Sequence, residues 1–158
     1  MDPIQRTIDI ANANVAEGGR PFATVIARDG EILAESPNLV AQTNDPTAHA
    51  EILAIRAACT ALGTEHLTGC TIYVLAHPCP MCLGSLYYCS PDRVVFLTQR
   101  TDYEPYYVDD RKYFELSTFY GEFAKDPVEP LSAGGRHMYQ TNAVESAEVF
   151  RDSLTGYG

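Results

Sequence analysis

Tryptophan is absent, basic residues are few, and no apolar run approaches the length of a membrane span. Each absence excludes something. With 11 Lys and Arg against 21 Asp and Glu, the formal net charge is −10, and no Lys/Arg cluster occurs. Nucleic-acid binders draw much of their affinity from phosphate neutralisation by a basic face, so a polynucleotide partner is disfavoured. Between Thr101 and Pro130 the basic residues are Arg111, Lys112 and Lys125, set among eight acidic ones. Crossing a bilayer takes roughly 18–20 consecutive apolar residues, so no membrane association is expected. Met1-Asp2-Pro3-Ile4 has no basic region leading into an apolar core. No secretory signal is expected, and a soluble, cytoplasmic protein is the default. Five cysteines are an odd number, which argues against a disulfide framework. Cys59, Cys70 and Cys89 read as small buried apolar residues.

What is present suits one globular domain. The chain has 158 residues, 46% apolar and 20% charged, enough to bury a core. It has no linker, repeat or low-complexity stretch, so residues 1–158 are expected to form a single domain. Ile4, Ile8, Ala11 and Val15 recur at helical spacing between Pro3 and Glu17, and Gly18-Gly19 stops the pattern. Phe22 to Ala27 reads as a buried strand, Asp29-Gly30 as a hairpin turn, and Glu31 to Ala34 as the return strand. Glu35 to Asn44 is too rich in Pro and Asn for regular structure.

Asp45-Pro46 predicts a helix start, running to about Thr60 with Gly63 just beyond. Cys70 to Leu75 is a β-branched strand, Pro80 to about Cys89 a helix, and Arg93 to Thr98 another strand. The tail predicts a helix within Asp109 to Tyr120, a short strand near Arg136 to Gln140 and a helix from Ala143 to Leu154. The alternation after Asp45 predicts an α/β sheet covered on both faces.

Two segments carry chemistry: His49-Ala50-Glu51, and Pro78-Cys79-Pro80-Met81-Cys82. They supply one imidazole and two thiols as zinc ligands, with a carboxylate two residues from the imidazole. Three protein ligands leave a tetrahedral ion one position for water, which the metal activates. Both segments fall at predicted helix N-termini, with His49 in the first turn after Asp45-Pro46. The partial positive charge there favours thiolates, and an (i, i+3) cysteine pair faces one side of a helix. Glu51 is placed to take the proton of that water and pass it to a substrate. A lone Cys-x-x-Cys is often redox-active or structural. A closed zinc site would need a fourth ligand, for which His77 is the nearby candidate.

The pairing of His-x-Glu with Pro-Cys-x-x-Cys resembles the zinc deaminases that act on nucleobases. Over roughly residues 3 to 100 the chain is similar to the cytidine deaminase superfamily. The resemblance is most specific at Asn44-Asp-Pro-Thr-Ala-His-Ala-Glu51 and Pro78-Cys-Pro-Met-Cys-Leu-Gly84, which look like the branch holding bacterial guanine deaminases and tRNA adenosine deaminases. It implies a three-layer α/β/α sandwich with a five-stranded mixed sheet, assembled as a homodimer. It also implies one zinc on His49, Cys79 and Cys82, with Glu51 as proton shuttle for zinc-hydroxide attack.

The guanine deaminase pattern further implies Asp110 as a catalytic contact to the substrate amine. It places Asn38 as a base-binding amide, Phe22 and Ala23 along the pocket, and the Ala50 N–H against a ring carbonyl. Tyr157 would cap the site, with residues 143–158 forming a helix and tail beside it. Two departures stand out: His77 replaces a glutamate before Pro-Cys, and Tyr103, Tyr106 and Tyr107 replace small residues. His77 reads either as a turn residue that hydrogen-bonds nearby or as a substrate-contacting imidazole. Some of the tyrosines are expected to wall a pocket for a planar ring. His66 and His137 read as surface or loop residues without a role.

The expected function is zinc-dependent hydrolytic deamination of a free purine base, guanine to xanthine plus ammonia. Alternatives are a deaminase of cytosine, a nucleoside or another heterocycle, a tRNA adenosine deaminase, and a non-catalytic zinc-stabilised binding domain. The intact Glu51 argues against the last.

Overall fold

In a computed structural model of the chain, the described residues are 1–107, 116–124 and 148. The chain divides into two compact units, Met1–Val108 and Asp109–Gly158. The first opens with helix α1, Pro3–Ala16, capped by the Asp2 carboxylate, which accepts from Ile4 N at 3.0 Å. The buried side of α1 is Thr7, Ile10, Ala11 and Asn14, whereas Ile4 and Val15 are 42% and 50% exposed. The apolar stripe read from sequence is therefore rotated. Two polar residues take its place because their polar atoms are satisfied: Thr7 Oγ1 donates back to Pro3 O, and Asn14 makes three side-chain hydrogen bonds.

Strands β1 (Ala23–Arg28) and β2 (Glu31–Pro37) form the expected hairpin. Asp29 and Gly30 both adopt positive φ, 52° and 80°, as a tight hairpin turn requires. The register shifts at Ile26/Ala27. The segment after the return strand is more ordered than its composition predicts. β2 continues to Pro37, and Val40–Thr43 forms the one-turn helix α2, whose first N–H donates to Asn38 Oδ1.

Helix α3 spans Ala50–Leu62 and ends at Gly63 in the left-handed conformation, φ 66°. It starts later than Asp45-Pro46 predicts. The Asp45 carboxylate is already engaged by Thr47 N and Oγ1, at 2.8 and 2.7 Å, which closes a turn ahead of the helix. His49 is consequently the N-cap residue rather than a first-turn residue. Strand β3 (Thr71–Ala76), helix α4 (Pro80–Tyr88), strand β4 (Arg93–Thr98) and short helix α5 (Arg100–Tyr103) follow.

The sheet order is β2-β1-β3-β4, with β1 antiparallel to both neighbours and β3 parallel to β4. Alternation along β1 and β3 distributes side chains to two faces. Val25, Tyr73 and Leu75 pack with Ile10 and Ala11 of α1. Ile26, Ile72 and Val74 pack with Ala54 and Ala58 of α3 and Leu86 of α4. Helices thus cover both faces, as expected for α/β.

The expected five strands are corrected to four among the described residues. The fifth, expected near Arg136–Gln140, lies outside them, and β4 ends the described sheet with Phe96 43% exposed, as befits an edge strand. In the second unit, helix α6 covers Leu116–Phe123, within and just past the expected range. The Ala143–Leu154 helix prediction is described only at Glu148, which is helical.

Thr24, on the inward side of β1 with Ile26, is fully buried, and its Oγ1 has no hydrogen-bond partner among the described residues. An unsatisfied buried hydroxyl opposes folding. Thr24→Val keeps the shape and suits a strand, so urea unfolding should show a gain of about 1 kcal/mol. A loss of stability would mean that the hydroxyl has a partner.

Candidate metal centre

One end of the sheet gathers the start of β1 and the C-terminal ends of β2, β3 and β4. Ala23 pairs with Pro37, Thr24 with Val74, and Ala76 with Thr98. The N-termini of α3 and α4 also open near this end, which suits the strand-end location of ligand sites in α/β sheets. Backbone hydrogen bonds stitch the loops here: Asn38 N to Phe22 O at 2.9 Å, Leu39 N to Ala48 O at 3.0 Å, and His77 N to Thr98 O at 2.9 Å.

His49, Cys79 and Cys82 meet at this end, their ligand atoms all within 4.8 Å of one another. His49 caps α3 by backbone alone; its side chain makes no capping bond. Its Nδ1 instead lies 3.5 Å from Cys79 Sγ and 3.4 Å from Cys82 Sγ. Zinc bonds of about 2.3 Å to sulfur and about 2.0–2.1 Å to nitrogen, at a tetrahedral angle, imply an S···N separation of about 3.5 Å. Both S···N distances therefore match the spacing that one zinc would impose. Pro80 begins α4, where its missing N–H costs no helix bond, and Cys79 Sγ accepts from Cys82 N across the first turn.

The electrostatics single out this pair. The hydrogen bond from Cys82, aided by His49, lowers the Cys79 thiol to about 4, while the same bond holds Cys82 protonated. Elsewhere burial pushes Cys89 up to about 11 and raises Cys70, as expected of inert core thiols, and raises Cys59, which is half-buried rather than buried. Glu51, in the first turn of α3, is only 7% exposed. Burial raises its carboxyl above the ordinary value, and the neighbouring Cys79 charge adds to the rise.

His77 does not join the metal group. Its Nδ1 lies 3.1 Å from Pro78 O and 3.5 Å from Arg100 Nη2, and its ring meets Phe96 edge-on. No fourth His, Cys, Asp or Glu joins the three among the described residues. Ala23 and Ala50 are both 1% exposed, at the starts of β1 and α3. Phe22 is flanked edge-on by Tyr107, ring centroids 4.9 Å apart, and by Tyr103 at 6.2 Å. Asn38 is 4% exposed. Asp110, Tyr157 and His137 lie outside the described residues, and His66 sits at the surface beside Glu65.

Sequence reasoning missed Arg100 and Asn14. Arg100 follows a strand with no motif around it. Asn14 did carry a signal: it lies three residues past Ala11, on the same side of α1.

Residues 3–98 match the family described as the cytidine and deoxycytidylate deaminase zinc-binding region. The guanine deaminase of Bacillus subtilis is 46% identical over 100 residues, 63% of this chain and 64% of that protein. A tRNA-specific adenosine deaminase of Aquifex aeolicus is 42% identical over 80 residues, 51% of this chain and 53% of that protein. The aligned stretch thus spans less than two thirds of either relative's length. The crystal structure of guanine deaminase from Bacillus subtilis superposes on the whole chain and on 96% of its own, with a TM-score of 0.82 and 36% identity. The matched segment contains His49, Cys79, Cys82 and Glu51, on an α/β fold of the same kind, and the chain accordingly belongs to the cytidine and deoxycytidylate deaminase zinc-binding family.

Proposed function

We propose that this chain is a zinc-dependent hydrolase that deaminates a free purine base, converting guanine and water to xanthine and ammonia. The observation that carries the reading is the His49–Cys79–Cys82 group with Glu51 buried beside it. Zinc bound there supplies a Lewis acid that makes water a nucleophile near neutral pH. Glu51 would take one proton of the attacking water and deliver it to a ring nitrogen as the C–O bond forms. It would then carry the proton of the new hydroxyl to the amine, which leaves as ammonia when the C–N bond breaks. A carboxyl whose burial strengthens its hold on a proton suits both halves of that task. The Ala50 N–H, at the first position of α3, is not used by the helix and can meet a ring carbonyl. Asn38 Nδ2 has no partner among the described residues and can donate to the base. Phe22, its ring held between Tyr103 and Tyr107, offers an aromatic wall for a planar substrate.

The likeness to the Bacillus subtilis enzyme over the whole chain supports guanine among purines. The net charge of −10 supports a free base over a tRNA. By the guanine deaminase pattern Asp110 relays protons at the substrate amine, and His77, which departs from that pattern, is proposed as a substrate contact. Residues 1–158 act as one domain. Four exposed groups support a homodimer: Tyr87 (80%), Tyr88 (88%), Phe96 (43%) and Met81 (37%). The free cysteines fit a reducing cytoplasm.

A chromatographic panel of guanine, adenine, cytosine, their nucleosides and tRNA tests the substrate. Guanine should be consumed with equimolar xanthine and ammonia. Turnover of cytosine, a nucleoside or tRNA with guanine untouched would overturn it.

A further inference from the structure

Asn14 lies in the last turn of α1, outside the metal group, yet it is only 3% exposed and fully hydrogen-bonded. Its Nδ2 donates to Arg20 O and to Asn38 O, both at 2.8 Å, and its Oδ1 accepts from Gln42 Nε2 at 2.8 Å. Its backbone carbonyl accepts from Gly19 N, also at 2.8 Å. Gly19 has no room for a side chain: a Cβ there would overlap the amide groups of Gln42 and Asn14. One carboxamide therefore ties together the end of α1, the loop through Arg20, the turn at Asn38 and helix α2.

Asn38 is what this hub holds. Its N donates to Phe22 O, its Oδ1 accepts from Val40 N, and its carbonyl accepts from Asn14. Three of its polar groups are consumed in fixing it, and Nδ2 is left over. Burying an amide in a helix face that an apolar residue could fill is unfavourable unless the amide's bonds are needed. We propose that Asn14 is a positioning residue for the substrate base: by clamping the Asn38 carbonyl it sets the direction in which Asn38 Nδ2 donates. This rests on the reading of Asn38 as a base-binding amide. Asn14 itself touches no substrate.

A double-mutant cycle tests it. Asn14→Leu keeps the volume and removes the clamp, and Asn38→Ala removes the donor. Asn14→Leu should raise KM for guanine about tenfold with kcat nearly unchanged, the pattern of lost ground-state binding, and should leave zinc content at wild-type level. In the Asn38→Ala background it should add less than twofold, because Asn14 acts through Asn38. Equal effects in both backgrounds, or parallel loss of kcat and zinc, would mean a purely structural role and overturn the proposal. If Asn38→Ala raises KM and Asn14→Leu does not, the clamp fails while the Asn38 reading stands. An Asn38→Ala enzyme with wild-type KM sinks both. Should Asn14→Leu not fold, Gly19→Ala and Gln42→Leu crowd or unpair the same amide. Each should shift KM in the same direction, and a wild-type KM in both would refute the clamp.

Discussion

Replacing Glu51 with Gln should leave about one zinc per chain and lower guanine turnover by at least about 10²–10⁴-fold, the usual worth of general acid–base catalysis. Glutamine keeps the size and polarity of the side chain at a position only 7% exposed, so packing is preserved. What it loses is the ability to take and return a proton. Stability gives a second readout. A carboxyl whose folded-state affinity for protons is raised favours folding when protonated and opposes it as pH climbs above the ordinary carboxyl range. At neutral pH the metal-free Glu51→Gln protein should therefore melt no lower than metal-free wild type. Ammonia release at the wild-type rate would refute the proton-shuttle role. Loss of zinc in step with activity would make Glu51 a ligand instead.

Cys82→Ala should abolish both zinc binding and activity. Cys82 is fully buried and its Sγ lies 3.4 Å from His49 Nδ1, so no water-exposed side chain can substitute for it. Metal that binds only the folded chain stabilises it by mass action, about 2.7 kcal/mol at a free concentration one hundred times Kd. Wild-type protein should show a rise in Tm with added zinc, and Cys82→Ala should show none. Cys89→Ala is the control: Cys89 lies in the core beside Leu86 and Val74, so its loss should lower Tm yet keep the zinc-dependent shift. A Cys82→Ala protein that retained one tightly bound zinc would refute the three-ligand site.

The strands and helices from residue 3 to 98, α2 excepted, were legible because each is announced locally. Asp29-Gly30 forces a hairpin, Gly63 stops α3, Pro80 opens α4, and Arg93–Thr98 is a strand at the bounds its β-branched run predicts. The misreadings arose where a polar side chain found a partner that composition does not reveal. Asp45 looked like a helix cap but is occupied by Thr47, which moves the start of α3 to Ala50. The stripe through Ile4 and Val15 looked like the core side of α1. Hydrogen bonds to Arg20 and Asn38 turn that helix the other way. A short Pro- and Asn-containing segment became strand and helix because Pro37 pairs with Ala23 and Asn38 supplies an acceptor for α2.

The sequence by itself determined the donor types, their order and the chemistry they permit: one imidazole, two thiols an (i, i+3) step apart, and a carboxylate two residues from the imidazole. Those are short-range facts, set by residue identity and helix geometry. Only the tertiary structure decided that His49, 30 residues before Cys79, meets both sulfurs at zinc spacing, because α3 and α4 pack in one core cluster against β1 and β3. It likewise decided that Glu51 is buried, which raises its carboxyl above the ordinary value, that His77 turns toward Arg100 and Phe96, and that Asn14 reaches Asn38 across 24 residues. Such contacts depend on strand register and on which polar groups find partners, and neither is a local property of the chain.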